Sequence, residues 1–339
     1  MILFILLLVP TPSLIFNNND LDNVLYAKGK ANTSREDRAK NDIHTNEVTQ
    51  NQEQITNKVV ILTFGDIHKS QFTTAKPILD QYGFKGSFFV PCDMVGEGSR
   101  MDWNDIKTLY NEGHDIQAKS DDNLIDLSRV KLDSEVSQPK ECLSAHGIDP
   151  AAITTFAVRH GNAVSNSTVI NTVAKYYDMA INGFSNLMRL NCIGYEDLPN
   201  PQRIGSGELV SLVTSPRHQT DCRTFFDDGS ITDANRYSIR EWNHNAKDRK
   251  YAYNSTSIFN TFVQVVNSQS KYNGNGIINA IPLIAYHNID NNRGKSSTDI
   301  SLFEAEMKYL HDNGFKVITI NDLAYDEMSN HLYVKNMLQ

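Results

Sequence analysis

The sequence predicts an α/β fold whose parallel strands close into a deformed barrel. Two observations lead there. From Val59 onward, apolar strand-like runs alternate with segments of helical period, in about seven strand-helix units. No Gly-rich phosphate loop follows the first strand, although an open doubly wound sheet of this length usually carries one.

The elements follow in order. Val59 to Phe64 reads as the first strand, and Ala75, Ile78 and Leu79 give a helical stripe ending at Gly83. Lys85 to Val90 is the second strand. Asp102 is a good N-cap for a helix presenting Trp103, Ile106, Leu109 and Tyr110, with Gly113 just past its end. His114 to Ala118 is a strand, Val130 to His146 a helix, Thr154 to Val158 a strand and Thr168 to Tyr177 a helix. Residues 185 to 250 are rich in Asn, Gly and Pro and read as loops and short strands. Ile258, Phe259, Phe262, Val263 and Val266 form a helical stripe, Ile277 to Tyr286 a buried strand, Ile300, Phe303, Met307 and Leu310 another stripe, and Phe315 to Ile320 a final strand.

The chain has 339 residues, 40% hydrophobic and 21% charged, with a formal net charge of -8 and no basic block. Nucleic acid is therefore not an expected partner. No internal run approaches a membrane span; the one strongly apolar stretch is Ile2 to Val9. It leads to Leu25-Tyr26-Ala27, a small-residue cleavage pattern, so residues 1–27 are expected to be a signal peptide and the protein to reach the cell exterior. The stretch lacks a preceding Lys or Arg, which leaves a short buried segment as the alternative. Residues 28–58 are charged and amide-rich and are expected to be a disordered linker, and 59–330 one domain. Cys192 and Cys222 flank a loop that a disulfide could close, unless the four cysteines are free buried thiols. Sequons stand at Asn32, Asn166 and Asn254.

Catalytic groups of parallel α/β barrels collect just after the strands. There stand Thr63-Phe64-Gly65-Asp66, Gly113-His114-Asp115-Ile116, Phe156-Ala157-Val158-Arg159-His160-Gly161 and Leu283-Ile284-Ala285-Tyr286-His287-Asn288. In order and spacing these resemble the polysaccharide deacetylase family, the NodB-homology or carbohydrate esterase 4 fold. The resemblance implies a hydrolase acting on C-N amide bonds of an N-acetylated carbohydrate. It also implies a divalent metal, usually zinc, held by one Asp and two His, with an Asp as base and a late His as acid.

Carried over residue by residue, the resemblance gives an incomplete site. Gly65 stands where the base Asp belongs, Asp66 keeps the metal-ligand position and His287 that of the acid. The two His ligands fall on Lys119 and on Asn123, or Asp121 with a two-residue deletion. An ammonium has no lone pair for zinc. Lys119 would therefore either neutralise Asp66 as a substitute cation or reach out to solvent. A supporting Arg-Trp loop is expected at Arg240 and Trp242, and Tyr286 near the mouth. Arg159 is expected in the pocket too, and a rebuilt metal site would draw on Asp66, His68, Asp121, His160 and His287. Three functions remain open: a glycan-binding protein with lost or reduced deacetylase activity and little or no metal, a metal-dependent hydrolase with altered ligands, and a structural envelope protein.

Overall fold

The computed structural model describes residues 56–158, 166–184, 186–190, 236–237, 239–244, 255–292, 296–328 and 331–335. The first half alternates strictly. Strand β1 (Val59–Phe64) leads through a π-helical turn at Gln71–Ala75 into helix α1 (Lys76–Gln81). Then follow β2 (Ser87–Val90), α2 (Trp103–Asn111), β3 (Asp115–Lys119), α3 (Arg129–Ala145), β4 (Thr155–Ala157), α4 (Ser167–Val173) and β5 (Met179–Phe184). Later come β6 (Met188–Arg189), β7 (Ile239–Asn243), α5 (Ser255–Asn267), β8 (Ala280–Ile281) and β9 (Leu283–Tyr286). The chain goes on through β10 (Asn288–Ile289), β11 (Ser297–Thr298), α6 (Ile300–Asp312), β12 (Lys316–Ile318), β13 (Leu323–Asp326) and β14 (His331–Val334).

Seven parallel strands close a ring in the order β1-β2-β3-β4-β5-β7-β9, with β9 pairing back onto β1. The deformation lies where β12 pairs with Val59–Ile61 while β2 pairs only with Thr63 and Phe64 on the same side of β1. Alternation along the strands sorts the core into two layers. Val59, Ile61, Phe89, Ala157, Ile181, Ile239 and Leu283 fill the barrel, while Val60, Leu62, Phe64, Phe88, Val90 and Tyr286 pack against the helices. Hence Thr63, Gly65, Lys119 and Glu241, in step with the inner set, face the barrel interior.

Local chemistry explains the element ends. The Asp102 side chain accepts from Asn104 N at 2.8 Å and Asp105 N at 3.0 Å, and Asp105 returns a bond to Asp102 N, closing the capping box of α2. Ser128 caps α3 and Asn166 caps α4.

Several expectations needed correction. The strand expected over 277–286 is two strands, because Pro282 has no N–H to continue the ladder. The helix expected to Tyr177 ends at Val173, and β5 and β7 complete the ring from segments without a clear period. The packed core also runs past residue 330, since Leu332 and Val334 of the terminal hairpin are buried among barrel-filling residues. Among the described residues a disulfide joins Cys92 in the loop after β2 to Cys142 of α3. Cys192 and Cys222 lie outside the described residues, as do residues 1–55. Among the described residues no helix is long and apolar enough to cross a membrane.

Candidate functional site

The C-terminal ends of β1, β3, β7 and β9 converge on the groups at the barrel mouth. At the end of β1, Gly65 N still donates to Tyr286 O at 3.0 Å, and the backbone then turns sharply through Asp66 (φ 67°) and Ile67 (φ 44°). Left-handed backbone at two consecutive residues with side chains is strained, and the isoleucine is the costlier of the two. Arg100 holds the turn, its guanidinium donating to the Asp66 carbonyl and meeting His68 Nε2 at 3.1 Å.

The turn aims the Asp66 carboxylate at Lys119 on the last residue of β3. The ammonium donates directly to Asp66 Oδ1, and Asp121 Oδ1 lies 3.4 Å from the same nitrogen. On the other side, His287 Nε2 stands 3.6 Å from Asp66 Oδ2. Burial raises the Asp66 pKa, but the Lys119 ammonium and His287 outweigh it and hold the carboxyl below its ordinary value. Lys119 thus turns inward as a cation for Asp66 rather than outward to solvent. Its side chain is 12% exposed, that of Asp66 22%.

Sequence reasoning missed one member of the site. Glu241 lies between Arg240 and Trp242 on β7, and strand alternation turns Glu241 inward. Trp242 goes to the helical layer, where it packs near His244 and Phe262. Arg240, at the same parity, faces outward as well. The Glu241 carboxyl accepts from Thr63 Oγ1 at 2.8 Å. That bond links β7 to β1 across β9, which pairs with both. The residue keeps some surface at the mouth, but its carboxyl is closely surrounded by protein. That burial pushes its pKa up to about 7, against the Thr63 hydrogen bond and the Lys119 charge, which lower it. The available signal was the inward parity of Ile239.

Tyr286 and Asn123 are placed elsewhere. Tyr286 is fully buried among the helix-facing residues, its hydroxyl donating to Glu306 Oε2 at 2.8 Å, because an odd-even step separates it from the inward-facing His287. Asn123 is exposed and donates to Asp126 Oδ2 at 2.5 Å, away from the Lys119 cluster. His68 lies beside Arg100 within electrostatic reach of Asp66, His287 and Lys119, and burial together with the Arg100 charge pushes its pKa down to about 4. Arg159 and His160 lie outside the described residues.

The family's metal does not fit this set. Among the described residues no three His, Cys, Asp or Glu side chains come together as an ion would require. Asp66 and Asp121 share a fixed ammonium, and one imidazole, His287, stands near them. Gly65 leaves open the place of a second carboxylate. A Cβ built there would lie 3.5 Å from His287 Nε2 and 3.9 Å from Lys119 Nζ, ordinary contacts, and the residue has no left-handed backbone.

Residues 52–180 match the family model of polysaccharide deacetylase, which takes in Gly65, Asp66 and Lys119. That stretch is polysaccharide deacetylase sequence of the NodB type. Similar solved structures include a family 4 carbohydrate esterase from Streptomyces lividans in complex with acetate, 13% identical, with a TM-score of 0.46 over 83% of this chain and 99% of that one. The peptidoglycan deacetylase PdaC from Bacillus subtilis is 14% identical, with a TM-score of 0.42 over 78% of this chain and 89% of its own. A mutant of a carbohydrate esterase 4 family pseudoenzyme with restored enzymatic activity is 13% identical, with a TM-score of 0.44 over 78% of this chain and 66% of its own. No curated protein matches the chain. The deacetylase family acts on carbohydrate and generally uses a divalent metal.

Proposed function

We propose that this polysaccharide deacetylase-like protein works at the cell exterior, binding an N-acetylated polysaccharide at the barrel mouth with its deacetylase activity lost or reduced. One observation carries the reading: the Lys119 ammonium is bonded to Asp66 and close to Asp121, so the carboxylate that would hold a metal already has its cation. Gly65 removes the proton acceptor from the position of the family's base. The Cys92–Cys142 disulfide supports an oxidising compartment, in keeping with the apolar N-terminal stretch.

The test combines elemental analysis of dialysed protein, acetate release from chitooligosaccharides, and binding of the same oligosaccharides by calorimetry. The reading expects less than one divalent ion per chain, no acetate above background, and saturable binding. Stoichiometric zinc together with acetate release would establish instead the second reading, a metal-dependent hydrolase with altered ligands, which the closeness of His287 to Asp66 favours. Failure to bind any N-acetylated glycan would overturn the binding function.

A further inference from the structure

We propose that Ser70 and Gln71 form a brace that positions His287 over Gly65 and Asp66, a role that rests on the mouth being the ligand site. The backbone itself does not fix this relation. The β1–β9 ladder ends with Phe64 opposite Tyr286 and the bond from Gly65 N to Tyr286 O. Beyond that rung β1 turns away through the left-handed residues 66 and 67, and the β1–β9 ladder ends there.

Side chains from one turn supply the missing rungs. Gln71 Nε2 donates to Gly65 O at 2.5 Å and to His287 O at 2.9 Å. Next to it, Ser70 Oγ donates to Asn288 Oδ1 at 2.6 Å and accepts from Ile289 N at 3.0 Å. The pair thereby holds three consecutive residues of the β9 exit, 287 to 289, against the β1 exit. Gln71 is fully buried, and its Oε1 has no hydrogen-bond partner among the described residues. A buried amide that satisfies both hydrogens and leaves its oxygen unpaired is oriented by the two carbonyls it holds. The π-helical turn beginning at Gln71 is what delivers it there, and such turns are local insertions common at functional sites.

The two Gln71 bonds go to the main chain of the mouth residues themselves, Gly65 and His287, and the Ser70 bonds to the two residues that follow His287. Losing them would let the β9 exit move relative to the β1 exit and change the 3.6 Å separation of His287 Nε2 from Asp66 Oδ2. Gln71 and Ser70 are accordingly positioning residues, and neither needs to touch a ligand.

The test uses the full chain with Gln71→Leu, similar in size but without donors, and Ser70→Ala as a milder second variant should the first not fold. The imidazole signals of His287, assigned with a His287→Gln variant in 15N-histidine-labelled protein, report its surroundings directly. Calorimetry with chitooligosaccharides reports the mouth. We expect the His287 signals in either variant to move or broaden. Glycan affinity is expected to fall about fivefold or more, with circular dichroism unchanged. His287 signals matching the unaltered protein, with only a lowered Tm, would overturn the brace and leave a purely structural role. If the unaltered chain binds no glycan while His287 still responds to both variants, the ligand-site reading fails and the brace stands.

Discussion

Removing the Lys119 amine should destabilise the domain, because the Asp66 carboxylate is retained in a partly desolvated place by that cation. Breaking one side of a buried pair costs about 3–5 kcal/mol when no solvent reaches it. Here the side chains are 12% and 22% exposed at a barrel mouth, and His287 remains beside Asp66, so about 2 kcal/mol is the expected loss for Lys119→Ala. In a domain of this size that corresponds to a fall in Tm of about 3–4 °C. Adding Asp66→Asn removes the stranded charge, so the double variant should cost less than the two single changes together, by about 1–2 kcal/mol. The pH dependence has a definite sign. Asp66 has its pKa lowered by folding, so the stability it contributes is present above the unfolded value near 3.8 and is lost as pH falls through the lower folded value. In Lys119→Ala the burial effect is no longer outweighed by the ammonium, and the pKa of Asp66 rises. The gap between that variant and the unaltered protein should therefore be full at neutral pH and narrow under acid conditions. Thermal denaturation of the four proteins of the cycle at pH 7 and under acid conditions measures all of this. Additive costs at pH 7, or a gap that widens on acidification, would refute the ion pair as the reason Asp66 is tolerated.

Lys119→His alone should release no acetate from chitooligosaccharides, since Gly65 still offers no base and the other ligand position holds no His; measurable turnover would contradict this account. Gly65→Asp should fold with a Tm within a few degrees of the unaltered protein, because the added Cβ meets nothing closer than 3.5 Å and needs no left-handed backbone; failure to fold would show the mouth to be tighter than described. Reducing or removing Cys92–Cys142, which closes a loop across a sequence separation of 50, should cost about 4 kcal/mol by loop entropy, read as a lowered denaturation midpoint in reductant; an unchanged midpoint would remove the disulfide from the fold's stability. Glu241 has its pKa raised from 4.5 to about 7, so its burial weakens the fold progressively as pH rises across that interval and no further above it. Glu241→Gln should lack that slope and gain on the unaltered protein by about 3 kcal/mol or less between pH 4.5 and 7; parallel stability curves would refute the burial of the charge.

The sequence by itself determined the architecture of the first half and singled out candidate residues for the mouth. Val59–Phe64, the Asp102 cap and the strand ending at Lys119 are local patterns of apolar period and capping chemistry, which neighbouring residues specify without help from distant ones. Gly65, Asp66 and Lys119 could be read because motif positions survive as spacing even when the residues change. Tertiary structure alone decided which residues share the mouth. Whether Lys119 faced Asp66 or solvent depended on β3 and β1 being held by β2 between them, a matter of sheet register that no local pattern contains. Glu241 could be found only from the inward parity of Ile239, and the direction of that parity is set once β5 and β9 pair with the short β7, which turns Glu241 inward and Trp242 outward. The Cys92–Cys142 disulfide, the Gln71 brace and the wedge of β12 beside β1 likewise join residues far apart in the chain. Such contacts arise from closure of the barrel, which brings strand ends within bonding distance whatever their separation in sequence.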